Sequence, residues 1–135
     1  MQTLRIVLLI IAAASLPAQQ GAEKAAQQAA ESWLALVDAG KYRESWSQTA
    51  PLFQQKVTRP QWEKSLQSVR PPLGPVVSRK LKTAAYTTSL PGVPDGEYVV
   101  IQYETSFEKK KATVETITPA KGAGGRWKVS GYFIR

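Results

Sequence analysis

Glu97-Tyr98-Val99-Val100-Ile101-Gln102-Tyr103-Glu104-Thr105-Ser106-Phe107 is the stretch that decides the fold class. Val99, Ile101, Tyr103 and Phe107 fall on one side of it, and Gln102, Glu104 and the following Glu108 on the other. Side chains of a strand point alternately to its two faces, so this period of two predicts a half-buried β-strand. Just before it, Pro91-Gly92-Val93-Pro94-Asp95-Gly96 is dense in turn formers and reads as a loop. Upstream of that loop, Val77, Arg79, Leu81, Thr83 and Ala85 are expected on one side of a first strand, with Lys80, Lys82 and Tyr86 on the other. Downstream, Lys109-Lys110-Lys111 marks a turn or flared strand end, and Ala112 to Thr118 a third strand. Lys121 to Gly125 is a glycine-rich turn, and Arg126 to Ile134 a fourth strand. The fourth is apolar on both faces (Trp127, Val129 and Phe133 against Tyr132 and Ile134), which predicts a central place in the sheet.

Before Gly74 the spacing is helical. From Ala22, the residues Ala26, Ala29, Trp33 and Val37, flanked by Ala30 and Leu36, form one apolar stripe, opposite Lys24, Gln28, Glu31 and Asp38. Gly40 stops that helix. Lys41 to Ser47 suggests a short helix turning Tyr42 and Trp46 inward, and Pro51 opens a further turn with Leu52 and Phe53. Thr58 and Gln61 form a capping box, and Pro60 falls in the first turn, where its missing N–H does no harm. Trp62, Leu66 and Val69 share a face of this last helix, which Pro71-Pro72 is expected to end. Helices first and consecutive strands after them predict an α+β fold: N-terminal helices packed on a curved antiparallel sheet of about four strands. A long helix across a concave sheet resembles the cystatin-like and nuclear-transport-factor-like folds, an analogy that carries no activity with it.

The N-terminus carries an address. Arg5 precedes the apolar run Ile6 to Ala14, and small residues and Pro17 follow. This is the layout of a secretory signal peptide, expected at residues 1–18 with cleavage after Ala18. Even extended to Leu16, the run is about half the ~20 residues that a spanning helix needs. A single domain over residues 19–135 would remain, periplasmic or secreted, with no stable membrane span. The chain has 18 Lys and Arg against 10 Asp and Glu, a formal charge of +8. That balance favours polyanions, which outside the cytoplasm are lipid head groups, anionic glycans and envelope polymers, not nucleic acid. A charge of this size also serves simple solubility.

The chain resembles a family of small exported bacterial proteins catalogued as domain of unknown function number 4019, from about Ala29 to Ile134. The resemblance rests on Ser32-Trp33, Gly40-Lys41-Tyr42, Ser45-Trp46, Arg70 and Pro72-Leu73-Gly74. It continues through Ser78-Arg79, Leu90-Pro91-Gly92, Asp95-Gly96-Glu97-Tyr98, Phe107, Lys109, Glu115 and Arg126-Trp127-Lys128-Val129-Ser130-Gly131-Tyr132. It implies secretion and one compact domain, and no catalytic residue.

Composition restricts the chemistry. Histidine and cysteine are both missing, so Ser-His and Cys-His nucleophilic pairs are excluded and zinc sites lose their preferred ligands. Neither a disulfide nor a lipid on cysteine can form. What remains is carboxylate, lysine and tyrosine chemistry, including an acid–base pair of carboxylate and tyrosine, with Glu31, Asp38, Glu104 and Glu115 as acids and Tyr42, Tyr103 and Tyr132 as partners. Each has a plainer structural reading. Asp38 lies off the apolar stripe, Glu104 alternates outward, and the tyrosines pack half-buried. Gly122-Ala123-Gly124-Gly125 lacks the Lys-Ser/Thr and helix of a phosphate loop and reads as a hairpin turn. Asp95-Gly96-Glu97 is too sparse in carboxylates for calcium.

Two sets of residues stand out as binding candidates. Trp33, Tyr42, Trp46, Trp62, Tyr103 and Trp127 would either share one core or line a ligand pocket between helices and sheet. Lys80, Lys82, Lys109, Lys110 and Lys111 would either be solvated strand ends or contact an anionic surface. The expectation is an exported, non-enzymatic binding or interaction module without cofactor or metal, its partner a protein or an anionic envelope component. The alternative is a small-molecule pocket protein of nuclear-transport-factor-like fold with weak carboxylate–tyrosine catalysis.

Overall fold

Every helix precedes every strand, as the change of period after Gly74 predicts. A computed structural model describes residues 16–135, and the expected export run Ile6 to Ala14 lies outside the described residues. The order is α1 (Pro17–Asp38), α2 (Tyr42–Ser47), α3 (Pro51–Lys56), α4 (Arg59–Leu73), β1 (Val76–Thr87), β2 (Tyr98–Phe107), β3 (Lys110–Lys121) and β4 (Trp127–Ile134). The strands form one antiparallel sheet in the order β1-β2-β3-β4, with the helices packed on one face.

Helix α1 starts earlier than its apolar stripe, at Pro17, not Ala22. Leu16 is extended, and Pro17, Ala18 and Gln19, which flank the expected cleavage point, are helical. Pro17 suits the first helical position, because an N–H there would have no intrahelical partner. The backbone N–H of Leu16 is held by Gln19 Oε1 at 3.3 Å. Ala26, Ala30, Trp33, Leu34 and Val37 are buried against the sheet.

In α4 the capping box forms as expected, with Thr58 N–H donating to Gln61 Oε1 (3.0 Å) and Gln61 N–H to Thr58 Oγ1 (3.4 Å). Trp62 and Leu66 face inward, but the third inward position is Arg70, while Val69 is 45 % exposed. The buried row follows a spacing of four, which passes from Leu66 to Arg70. Pro71 and Pro72 sit inside the last turn, and the helix ends only at Leu73. The carbonyls of Gln67 and Ser68 lose their intrahelical donors to these prolines, but both residues are exposed and water can serve them.

Strand β2 alternates as read, with Val99, Ile101, Tyr103, Thr105 and Phe107 buried. Strand β1 departs from its reading at two shifts of register: one between Val76 and Ser78, which leaves Val77 exposed and off the face of Arg79, and one at a bulge further along. Arg79 pairs with Thr105 and Leu81 with Tyr103, but the register then steps and Thr83 pairs with Gln102. The extra residue, Lys82, reverses the faces. Ala84 and Tyr86 therefore turn toward the core, and Thr83 and Ala85 turn away. Strand β4 is an edge strand, not a central one. Its free side is covered at one point, where Thr49 bridges Val129 and Ala50 N–H donates to Val129 O at 2.8 Å. Beyond that point the strand is open, and Phe133 is 47 % exposed. The loop at Pro91–Gly96 and the turn at Gly122–Gly125 lie where expected.

Candidate functional site

A chain of four charged side chains runs from the helical layer through the sheet. Asp38, at the end of α1, accepts from Arg70 Nη2 at 2.8 Å and from both terminal nitrogens of Arg79, at 2.8 and 3.0 Å. Arg79 Nε donates to Glu115 Oε1 at 2.7 Å. Glu115 is fully buried and also accepts from Thr105 Oγ1 and from the Tyr132 hydroxyl, each at 2.5 Å. Two cations and two anions thus tie α1 and α4 to all four strands. Arg70 is 5 % exposed, with its guanidinium 4.9 Å from the centre of the Phe107 ring. Among the described residues, Arg70 Nε and Nη1 and the Tyr103 hydroxyl are buried without a hydrogen-bond partner.

The electrostatics follow from this geometry. Burial pushes the Asp38 carboxyl up, but hydrogen bonds and charge from Arg79 and Arg70 outweigh it and hold it below its ordinary value. Burial works against the Arg79 cation, yet its bonds to Asp38 and Glu115 raise its pKa further. The Tyr132 phenol is raised by burial and by the Glu115 charge. Tyr103 is pushed up to about 12 by burial and by the charge of Glu31. Both phenols are therefore held protonated, and every contact of Glu115 is to a donor of its own chain.

Of the acid–base candidates, the fold joins Glu115 to Tyr132 directly and to Asp38 through Arg79. Glu31 and Glu104 are exposed. Arg70 and Arg79 were not among the candidates read from sequence. The available signal was a cation on the apolar side of an alternating strand, between Val77 and Leu81.

The aromatic candidates do not ring one cavity. Trp33 and Trp62 are buried with ring centres 6.0 Å apart, and Phe53 and Tyr132 pack edge-on at 5.1 Å from Trp62 and 5.2 Å from Trp33. Both indole N–H groups end on one residue: Trp33 donates to Ser45 O (2.9 Å) and Trp62 to Ser45 Oγ (3.0 Å). Ser45 is fully buried. Trp46 and Tyr42 pack half-buried at the margin, with Trp46 Nε1 donating to Val57 O at 2.8 Å. Tyr103 faces inward from β2.

Trp127 is half-buried and lines a groove of about 550 Å³ where α1 and α2 meet the start of β4. Trp33 and Leu36 of α1, Glu44 of α2, and Arg126 and Lys128 on either side of Trp127 in sequence also line it. The lysine candidates also divide. Lys80 and Lys111 share a concavity on the sheet face away from the helices, whereas Lys109 lies against Gly74 and Lys82 sits at the β1 bulge. No helix among the described residues is long and apolar enough to cross a membrane, and none of their His, Cys, Asp and Glu cluster in threes for a metal.

No curated protein matches this chain. The family model described as Protein of unknown function (DUF4019) matches residues 29–132, a span that holds Trp33, Ser45, Asp38, Arg70, Arg79, Glu115 and Tyr132 together, and the chain belongs to that family.

Proposed function

We propose that this protein is an exported, non-enzymatic interaction module whose contact surface is the groove between α1, α2 and the start of β4. The observation that carries this reading is where open space remains. Between helices and sheet the indoles and phenols pack on one another, and the buried carboxylate is enclosed by its own donors. The groove, by contrast, reaches the surface and is lined by a half-buried indole together with Glu44, Arg126 and Lys128. An aromatic anchor beside arginine is the composition of a binding hot spot.

A second reading has one observation in its favour. The groove volume of about 550 Å³ lies in the ~300–1,000 Å³ range of small-molecule sites. Native mass spectrometry of the protein purified from its source organism separates the two. The expected result is a chain starting near Gln19 with no retained compound, whose surface labelling at Trp127 falls when its partner is present. A retained mass of a few hundred daltons that leaves on unfolding would overturn the interaction reading in favour of a carrier. A chain that keeps residues 1–18 would overturn cleavage after Ala18.

A further inference from the structure

The outer face of the sheet holds a feature that the groove does not use. Strand register places Lys80 beside Glu104, and Glu104 beside Val114. Val114 exchanges two backbone hydrogen bonds of 3.0 Å with Arg135, so Lys80, Glu104, Val114 and Arg135 form one row across the sheet. The next row pairs Ser78 with Ser106. Lys111 joins these residues around a shallow concavity of about 470 Å³. Among the described residues, Lys80, Lys111 and Arg135 make no ion pair, although Glu104 stands within their row. On the other side lies the row Thr83, Gln102, Thr116 and Phe133. Its phenyl ring is 47 % exposed, with the Arg135 guanidinium 5.2 Å from its centre.

From this arrangement we infer that the outer sheet face docks on an anionic phospholipid surface, with Lys80, Lys111 and Arg135 meeting head-group phosphates and Phe133 entering the interface. The three cations come from three different strands or their ends and form no ion pair within the protein. Hydroxyls of Ser78 and Ser106 lie among them as further donors to phosphate oxygens. An exposed ring next to a cation suits a boundary that is wet on one side and apolar on the other. A soluble polyanion would satisfy the cations but would give Phe133 nothing to enter. This inference stands apart from the groove, on the opposite face of the sheet, and each can fail alone.

The test is co-sedimentation of the purified protein with vesicles of phosphatidylglycerol and phosphatidylcholine, against phosphatidylcholine alone. The neutral vesicles measure whatever an apolar N-terminal segment contributes. Binding is expected on the mixed vesicles only, falling as salt is added. Each basic residue near such a surface is worth about fivefold in affinity, so the Lys80→Gln, Lys111→Gln double variant should bind about 25-fold more weakly. Glu104→Gln should bind more tightly, and Phe133→Ser more weakly on vesicles but unchanged on dextran sulfate. All four positions are exposed, and unchanged Trp fluorescence would establish that the variants fold. Equal binding to neutral vesicles, or a double variant that binds like wild type, would overturn the inference. Strong dextran sulfate binding with Phe133→Ser silent on vesicles would replace the membrane by a soluble polyanion.

Discussion

Replacing Glu115 by glutamine tests whether the four-charge chain holds the two layers together. The side chain keeps its shape but loses its charge, in a position with no exposed surface. The remaining oxygen can still accept from Arg79 Nε and Thr105 Oγ1, as Oε1 does now at 2.7 and 2.5 Å. On the other side an NH2 group replaces the acceptor of the Tyr132 hydroxyl, so one buried phenol must turn its proton away. Arg79 keeps Asp38 but loses its buried counter-ion. Breaking a buried pair by removing one charge costs about 3–5 kcal/mol. The retention of Asp38, which is 30 % exposed, puts the expected loss at the lower end, about 3 kcal/mol. For a domain of this size that lowers Tm by roughly 10–15 °C. Urea unfolding followed by fluorescence of Trp33 and Trp62 measures it. The companion is Arg79→Met with Glu115→Leu, which removes both charges and should cost less than either single change added to the other. A Glu115→Gln midpoint within about 0.5 kcal/mol of wild type would refute the role given to this chain of charges.

Four further outcomes follow from the same geometry. Trp33→Ala should cost about 3–5 kcal/mol, because it empties core space and removes a donor from Ser45 O, whereas Trp127→Ala, at the groove, should cost under about 1 kcal/mol; equal losses by thermal melting would contradict the division of the indoles. Ser45→Ala should cost about 1–3 kcal/mol, since Trp62 Nε1 then has no acceptor, and hydrogen exchange of the Trp62 indole would quicken. Stability should fall as pH rises from 10 through about 12, because the unfolded chain releases the Tyr103 proton near pH 10 while the folded chain keeps it to about 12. A flat denaturation midpoint across that window would place Tyr103 outside the core. At the acid end, the lowered Asp38 pKa stabilises the fold above the ordinary carboxylate range, and this is lost as pH falls through the folded value. Asp38→Asn should flatten that limb.

How much of this was legible depends on whether a residue's partner is local. Period two across Glu97–Phe107 and the capping box at Thr58 are short-range signals, and both survive in the fold. The bulge at Lys82 is set by pairing with β2, so Ala84 and Tyr86 exchange faces with Thr83 and Ala85 without any mark in β1 itself. The misplacement of β4 has a related cause: the register with β3 shifts between Ile117 and Pro119, so Phe133, read on one face with Trp127 and Val129, lies on the open outer face while Tyr132 turns inward, and β4 gains cover at Val129 from Thr49 and Ala50. The charged chain was hardest to see because its bonds join residues 32 to 41 positions apart. Asp38 and Glu115 stand in the sequence as acids without a cationic partner, and Arg79 only as one residue on a face of β1. Yet Arg79 shares the apolar side of β1 with Leu81, and Glu115 lies two residues before the core residue Ile117. A charge on an inward position must find its opposite or be excluded. Two such charges on different strands, one of each sign, therefore predict one another, and Asp38 and Arg70 extend that pair to α1 and α4.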